Sequence, residues 1–351
     1  MSNTAFQDLL GLRLPIVQGA FGGGLSTVDL VSAVSNGGGL GSFGAHLLQP
    51  EEIVSLATRL RAKTSKPFAL NLWVGDPDPG AVRVDRDEFE RAWSIVAPFY
   101  REYGLERPEM PGRYLPAPDR QFEGLLEARP PVFSFIFGIP PAAVLAECRR
   151  RGIVTFGTAT TLAEALVLDA AGVDAILATG FEAGGHRPSF LAPAEDSLTG
   201  ALALTRVIAA KVDRPVVAAG GIVDAQGVRA ALALGAGAAQ LGTAFLACTE
   251  SGAADVHRRA LFSPRAGHTV LTRAYSGRLA RGIPNRAVLE MAKHRVPAFP
   301  LQSWFMSKLK AASVARGEED FLSLYAGQGT PLLKHRSAAA LMESLESGIA
   351  S

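Results

Sequence analysis

The sequence is poor in cysteine and almost neutral in charge, and both properties exclude several classes of protein. Its 351 residues include two cysteines, Cys148 and Cys248, which cannot form a disulfide framework and do not form a CxxC pair. The 35 basic and 33 acidic residues leave a net charge of +2, which gives no electrostatic footprint for nucleic acid. We therefore expect a reduced, intracellular protein that has no nucleic-acid partner.

Long hydrophobic runs and metal-binding motifs are also missing. No stretch of about 18 consecutive apolar residues is present, and residues 1–21 lack the basic start and apolar run of an export signal. The six histidines follow neither HExxH nor Cys/His spacing, so no metal site is expected. A G-x-S-x-G elbow is absent as well, which leaves serine hydrolase chemistry without support. These absences predict a soluble, cytoplasmic protein that does not contact a membrane.

Eight short apolar segments, mostly separated by helical patterns, dominate what the sequence does contain. They are continuously apolar rather than alternating, as strands covered on both faces of a parallel sheet must be. Eight strand–helix units over about 250 residues predict an α/β fold, a TIM (β/α)8 barrel; an open doubly wound sheet is the alternative. The predicted strands are residues 15–19, 39–43, 68–74, 132–138, 153–158, 173–180, 215–221 and 238–245.

Two segments interrupt this repeat and suggest how the chain is divided. Residues 1–250 and 326–351 are predicted to form the barrel, with an insert at about 75–130 that is rich in Pro, Asp and Arg. Residues 251–325 follow the last strand with mixed helical patterns, basic residues and prolines. We interpret this second segment as a smaller, mostly helical cap domain, a lid over the mouth of the barrel.

Glycine, with 37 residues, is concentrated around the ends of the predicted strands. The loops at the carboxyl ends of barrel strands form the working face, and glycine lets a ligand approach the main chain closely. AAGGI (218–222) and QLGTAF (240–245) predict the phosphate site usual for such barrels, with Thr243 adding a hydroxyl. This position does not separate FMN from a sugar phosphate. GLGSFG (39–44) is not a dinucleotide fingerprint, because a helical pattern precedes it.

One histidine lies in a loop at the expected working face of the barrel. His186 lies in TGFEAGGHRPSF (179–190), directly after the sixth strand, where two glycines precede it and an arginine follows. An imidazole with a pKa near 6.5 can act as a base or a donor at neutral pH, so His186 is the candidate catalytic residue. His46 also follows a strand, but we interpret it as structural.

Together these segments resemble the nitronate monooxygenase family over nearly the full chain. The late segments resemble the bacterial class that acts on propionate 3-nitronate. The resemblance rests on PIVQGAFGGGLSTVDLVSAVSNGGGLGSFGA (15–45), VDAILATGFEAGGHR (173–187), PVVAAGGI (215–222), AAQLGTAFLAC (238–248), LTRAYSGRLARGIPN (271–285), FPLQSW (299–304) and YAGQG (325–329).

The resemblance implies an FMN enzyme on a TIM barrel, with His186 as the active-site histidine. By matching position, the FMN phosphate would lie on Gly220, Gly221, Gly242 and Thr243, and Asn71 would hydrogen-bond the flavin ring. The implied cofactor-binding residues are, in full, Gly19, Ala20, Phe21, Asn71, Thr179, Gly184, Gly185, Gly220, Gly221, Gln240, Leu241, Gly242 and Thr243.

The implied reaction is oxidation of an alkyl nitronate, such as propionate 3-nitronate, by O2 to a carbonyl compound and nitrite. It would pass through a flavin semiquinone and need no NAD(P)H. His186 would orient the nitro group, or remove the α-proton of a neutral nitroalkane, and the Arg-rich LTRAYSGRLARG would add positive charge. The implied partners are a small anionic nitronate or nitroalkane and O2. The oligomeric state, monomer or homodimer, stays open.

Four residues depart from the pattern of the family. Ile136 stands where many members have His, Thr179 where Gln is usual, Phe21 for a frequent Met and Phe299 for a frequent Tyr. These changes would make the substrate pocket less polar. Two other functions therefore remain open: an NAD(P)H-dependent flavin reductase acting on a quinone or an enoyl thioester, and a phosphate-binding barrel with no redox role.

Overall fold

The computed structural model describes residues 5–75 and 85–350, and within them eight parallel strands form one sheet. All eight predicted strands are present, although β8 is shorter than expected because a helix begins at Thr243. The strands are β1 (Ile16–Gln18), β2 (Gly41–Gly44), β3 (Phe68–Trp73), β4 (Val132–Ile136), β5 (Val154–Ala159), β6 (Ala175–Thr179), β7 (Val216–Ala219) and β8 (Ala238–Leu241).

The sheet closes on itself as a barrel. Each strand pairs in parallel with the next along the chain from β2 to β8, and β8 pairs with β1. Leu40, directly before β2, completes the ring, because it bridges Val17 and its N–H donates to the carbonyl of Ile16 at 2.8 Å. This order confirms the TIM barrel and excludes the open doubly wound sheet.

Helices cover the outside of the barrel and build the cap. The side chains of β6 are buried along its whole length, which explains why the strands are continuously apolar. The helices are α1 (Ala5–Leu10), α2 (Val28–Asn36), α3 (Pro50–Lys63), α4 (Arg86–Glu102), α5 (Pro118–Ala128), α6 (Ala142–Arg151), α7 (Leu162–Ala170), α8 (Ala201–Ala209), α9 (Ala225–Ala233), α10 (Thr243–Leu246), α11 (Asp255–Leu261), α12 (Arg286–Met291), α13 (Leu301–Arg316) and α14 (Ala338–Ala350).

The predicted insert at 75–130 contributes to two different parts of the molecule. Helix α5 packs on the barrel helix α3. Helix α4 instead packs on α13, where the hydroxyl of Tyr100 donates to the carbonyl of Phe305 at 2.8 Å. Residues 76–84 of the insert lie outside the described residues. The aromatic helix read in the insert therefore belongs to the hydrophobic cluster of the cap.

A small antiparallel sheet links the segment 270–282 to the loop after β6, and no pattern in the sequence predicts it. Its strands are Val270–Thr272, Ala280–Gly282 and Gly185–His186. His186 lies opposite Ala280 in this sheet. The candidate catalytic residue is therefore held by backbone pairing to the cap and not by a free loop.

Candidate active site

A cavity of about 660 Å³ lies at the carboxyl ends of the barrel strands, below the cap. It is large enough for a cofactor together with a small substrate. Of the residues singled out in the sequence, all but one line it: His186, Gly19, Ala20, Phe21, Asn71, Thr179, Gly184, Gly185, Gly220, Gly221, Gln240, Gly242 and Thr243.

Leu241 is the exception. Its side chain is fully buried in the hydrophobic cluster between the barrel and its helices. Successive side chains of a strand point to opposite sides, so Gln240 faces the cavity while Leu241 faces away from it. The carbonyl of Leu241 accepts the N–H of Gly19 at 2.9 Å, which ties the end of β8 to the loop after β1. Leu241 thus shapes the site through its backbone only.

Glycines and a short helix form one end of the cavity. Gly221 has a φ of +70°, in the left-handed region that favours glycine. A Cβ atom on Gly242 would meet only a ring carbon of Phe21, at 3.9 Å, so a side chain there would occupy cavity space. Helix α10 begins at Thr243, whose hydroxyl oxygen accepts the N–H of Gly327 at 2.9 Å and keeps its proton free to donate. This uncharged cradle of backbone and one hydroxyl fits a phosphate group.

Asn71 provides a buried carboxamide within β3. Its side-chain nitrogen donates to the hydroxyl of Ser134 at 3.0 Å. The carboxamide oxygen has no hydrogen-bond partner among the described residues, and Asn71 lines the cavity. An unpaired acceptor in a site of this depth fits a ligand that carries an N–H group, as a flavin ring does.

The loop that carries His186 is anchored by two buried charged residues. Arg187 is 4% exposed, and its guanidinium donates to the carbonyl oxygens of Thr160, Thr179 and Ser197. The carboxylate of Glu164, also fully buried, accepts the N–H of Phe190 at 2.6 Å. Because both charges are compensated by hydrogen bonds, the loop after β6 is fixed at both ends.

His186 itself lies among aromatic rings. Its Nε2 atom is 2.7 Å from the hydroxyl of Ser276, and its ring is edge-on to Trp73 with the centroids 4.9 Å apart. Burial, reinforced by the positive charge of Arg278 and by His46, lowers the pKa of His186 to about 3. The expectation of a pKa near 6.5 was therefore wrong, because it assumed a hydrated imidazole. His186 is neutral at pH 7.

His46, interpreted above as structural, and Trp73 both belong to the cavity wall. The two rings stack with their centroids 3.9 Å apart and 5° between their planes. Burial and the charge of Arg278 lower the pKa of His46 to about 3. The signal was present in the sequence: His46 follows β2, and Trp73 is two residues after Asn71 on β3 and so lies on the same face.

The arginines of LTRAYSGRLARG have different partners. Arg273 pairs with Glu195, with the nearest N–O distance 2.8 Å, and Arg281 donates to the carbonyl of Phe181 at 2.8 Å. Arg278 lies over the rings of Phe137, Phe299 and Trp73, with its guanidinium carbon 3.8, 4.6 and 5.4 Å from their centroids. Only Arg278 of the three therefore brings its charge close to the rings that surround His186.

Lys310 is the other basic side chain of the site, and no motif in the sequence marks it. It lies on α13 and lines the cavity opposite the loop after β1, where its Nζ is 4.0 Å from the Cβ position of Gly23. It makes no hydrogen bond or ion pair with the described residues, and burial lowers its pKa. Apart from the neutral histidines, it is the one ionisable lysine, arginine or carboxylate side chain among the described lining residues. The cavity therefore favours an anion.

The four residues that depart from the family pattern all line this cavity: Phe21, Ile136, Thr179 and Phe299. Phe299 packs against Trp73, with the centroids 5.2 Å apart. Among the described residues no cluster of His, Cys, Asp or Glu could hold a metal ion. Nor, within 5–75 and 85–350, does any helix have the length and apolar character to span a membrane.

Comparison with known proteins decides the family. The nitronate monooxygenase family model matches residues 3–348. A protein named nitronate monooxygenase from Pseudomonas aeruginosa is 43% identical over 350 residues, covering 97% of each chain. The chain belongs to the nitronate monooxygenase family. The resemblance read from the motifs is thus confirmed, as is the prediction of an oxidoreductase.

Solved structures agree with this membership of the nitronate monooxygenase family. Nitroalkane oxidase from Streptomyces ansochromogenes superimposes with a TM-score of 0.90 at 39% identity, covering 99% of this chain and 98% of that one. FabK from Thermotoga maritima superimposes with a TM-score of 0.76 at 26% identity, covering 98% and 95%. The fold is therefore shared with both proteins over nearly their whole length.

Proposed function

We propose that this family member is an FMN-dependent enzyme that oxidises alkyl nitronates with O2 to a carbonyl compound and nitrite, without NAD(P)H. The observation that carries the proposal is the charge pattern of the cavity. A neutral His186 and the amino group of Lys310, which has no hydrogen-bond or ion-pair partner among the described residues, line a site in which no described carboxylate faces the ligand. Burial lowers the pKa of Lys310, and a bound anion would favour its charged form. Such a site takes a small anion, and a nitronate such as propionate 3-nitronate is one.

The residues present fit FMN at the carboxyl ends of the strands. Gly220, Gly221, Gly242 and Thr243 would hold the phosphate, and the unpaired oxygen of Asn71 would accept a hydrogen bond from the flavin ring. The backbone of residues 19–21 would lie beside the ring system. When bound, FMN would supply the redox chemistry, accepting electrons from the substrate and returning them to O2.

His186 acts in this proposal as a hydrogen-bond donor and not as a base. A nitronate has already lost its α-proton, so it needs charge stabilisation and orientation. A neutral imidazole offers one N–H for that purpose, and Lys310 with Arg278 adds positive charge. A base with a pKa of about 3 removes a proton from a neutral nitroalkane poorly, because its conjugate acid is too strong.

The aromatic cluster excludes water from the same region. Trp73, Phe137, Phe299 and Tyr325 all lie around His186 or Arg278. In a dry site the charge–dipole interactions are stronger than in water. The less polar residues Ile136 and Phe299 extend this surface and suit the alkyl portion of a nitronate.

The absorption spectrum and anaerobic reduction of the purified protein test this function. We expect a yellow flavoprotein whose flavin is bleached by propionate 3-nitronate without O2, and not by NADH within seconds. Bleaching by NADH alone would support the flavin reductase instead. A colourless protein that does not bind added FMN would indicate a phosphate-binding barrel with no redox role.

A further inference from the structure

Among the described residues, the hydroxyl of Ser276 is the group that hydrogen-bonds a ring nitrogen of His186. Its Oγ atom is 2.7 Å from Nε2, and no described residue hydrogen-bonds Nδ1. Ser276 is 3% exposed and lies in the turn between the strands Val270–Thr272 and Ala280–Gly282. The cavity-lining imidazole is therefore held at one nitrogen and open to a ligand at the other.

Hydrogen bonds and close packing on both sides hold the turn around Ser276. The N–H of Arg187 donates to the carbonyl of Leu279 at 2.8 Å, next to the pair formed by His186 and Ala280. Gln302 donates to the carbonyl of Ala274 at 2.7 Å on the other side of the turn. A Cβ on Gly277 would lie 2.4 Å from the backbone nitrogen of Phe299, so the turn packs directly against the segment before α13.

The hydrogen bonds of Ser276 decide which way the proton points. Its Oγ already accepts the N–H of Arg278 at 3.3 Å. A serine hydroxyl has one proton to donate, and the two acceptors in reach are Nε2 of His186 at 2.7 Å and the carbonyl of Arg278 at 3.5 Å. The shorter distance is typical of an O–H donor, and the longer one is at the limit of a hydrogen bond.

We propose that Ser276 is a positioning residue that donates to Nε2 of His186 and thereby fixes the neutral imidazole as the Nδ1–H tautomer. The Nδ1–H then points to the ligand and donates to an oxygen of the nitronate. This inference rests on the proposed function for the identity of the ligand, but the tautomer itself does not depend on it.

The tautomer sets the substrate class. With Nε2 occupied by the serine proton and Nδ1 protonated, His186 has no free lone pair for the α-proton of a neutral nitroalkane. The site therefore accepts the nitronate, which arrives deprotonated, and discriminates against its neutral parent. Removal of the Ser276 hydroxyl frees Nε2 and weakens this selection.

Nitrogen NMR of the FMN-loaded protein, with ¹⁵N-labelled histidine, measures the tautomer directly. Nitrogens that carry a proton and nitrogens that do not have well-separated chemical shifts, and His186→Gln assigns the signals. His257 is an internal reference, because its Nε2 lies 3.0 Å from the carbonyl of Tyr325, which can only accept, and must therefore carry the proton. We expect His186 to show the opposite pattern, with the proton on Nδ1.

Two variants extend the test. Ser276→Ala should allow the Nε2–H form and reduce the ratio of kcat/KM for nitronate over nitroalkane by about tenfold. Ser276→Thr keeps the hydroxyl and should therefore keep the wild-type tautomer and the wild-type ratio. A wild-type His186 protonated on Nε2 would overturn the proposal, as would an unchanged tautomer and ratio in Ser276→Ala. If no nitronate is oxidised at all, the NMR result still decides the tautomer.

Discussion

The imidazole of His46 stacks on the indole of Trp73 with the ring centroids 3.9 Å apart, while the ring of His186 lies at 74° to the same indole with the centroids 4.9 Å apart. One tryptophan at the end of β3 thus orients both buried histidines. Aromatic pairs of this kind contribute about 0.5–1.5 kcal/mol beyond the area they bury. The arrangement makes Trp73 the central ring of the cavity wall.

Replacement of Trp73 is expected to disturb the chemistry and not the cofactor. In Trp73→Leu the histidines lose their aromatic contacts, so kcat/KM for a nitronate should fall by about tenfold, while the FMN content stays at the wild-type level. Steady-state oxygen uptake and the flavin spectrum measure the two effects. Trp93→Leu, in the hydrophobic cluster of the cap, is the control and should keep wild-type kinetics. Equal kinetics in Trp73→Leu and wild type would contradict this role.

Lys310 is expected to select substrates with a second negative charge. A hydrogen bond to a charged group contributes about 1.5–3 kcal/mol, so Lys310→Met should lower kcat/KM for propionate 3-nitronate by about 10- to 100-fold. The effect on ethyl nitronate, which has no carboxylate, should be several-fold smaller. Lys308→Met is the matched control, two residues away on the exposed face of α13. Equal losses for both substrates would show that Lys310 does not bind the carboxylate.

The glycine cradle can be tested with two glycines of the same conformation. Gly221 in the cavity and Gly152 at the end of α6 both have a φ of +70°, and a Cβ meets no atom closer than 3.5 Å at either. Alanine at each position should cost about 1 kcal/mol of stability. Only Gly221→Ala should also weaken FMN binding, measured by fluorescence titration of the apoprotein. Unchanged FMN affinity in Gly221→Ala would remove Gly221 from the phosphate site.

Acid should destabilise the protein through its buried histidines. Burial lowers the pKa of His257 to about 4. The hydrogen bond to the carbonyl of Tyr325 acts in the opposite direction and raises the pKa, whereas the charges of Lys310 and Arg258 lower it further. Between about pH 6.5 and 4 the unfolded chain binds a proton that the folded chain does not, so the free energy of unfolding falls as the pH falls.

The contribution of His257 is about 1.4 kcal/mol per pH unit within that range. Urea unfolding at several pH values should therefore give a shallower slope for His257→Gln than for the wild type. His294→Gln, at an exposed position, is the control and should keep the wild-type slope. A slope in His257→Gln as steep as that of the wild type would show that His257 is not buried in its neutral form.

The barrel could be predicted from the sequence because its strands must be apolar on both faces, which leaves a direct mark on the chain. The loops that line the cavity were predictable as well, since glycine marks the places where a backbone must leave room. The side chain of Leu241 does not line the cavity, and a motif does not show which of two neighbouring side chains faces it. Its neighbour Gln240 does, by the alternation of the strand.

Contacts between segments far apart in the chain could not be predicted, because they leave no pattern in the sequence. Ser276 and His186 are 90 positions apart, and a three-stranded sheet of eight residues brings them together. Lys310 lies on α13, and nothing in the sequence of this helix distinguishes its cavity-facing side from its exposed side. The depressed pKa of His186 has the same origin, because only the assembled aromatic wall and Arg278 create its environment.

Oxygen consumption with nitrite release, measured on the FMN-loaded protein with propionate 3-nitronate and no NAD(P)H, tests the central claim most directly. The account predicts that both begin on addition of the nitronate, and that His186→Asn binds FMN normally but turns the substrate over more slowly. No oxygen uptake without NADH, or turnover of the nitronate at an unchanged rate in His186→Asn, would contradict it.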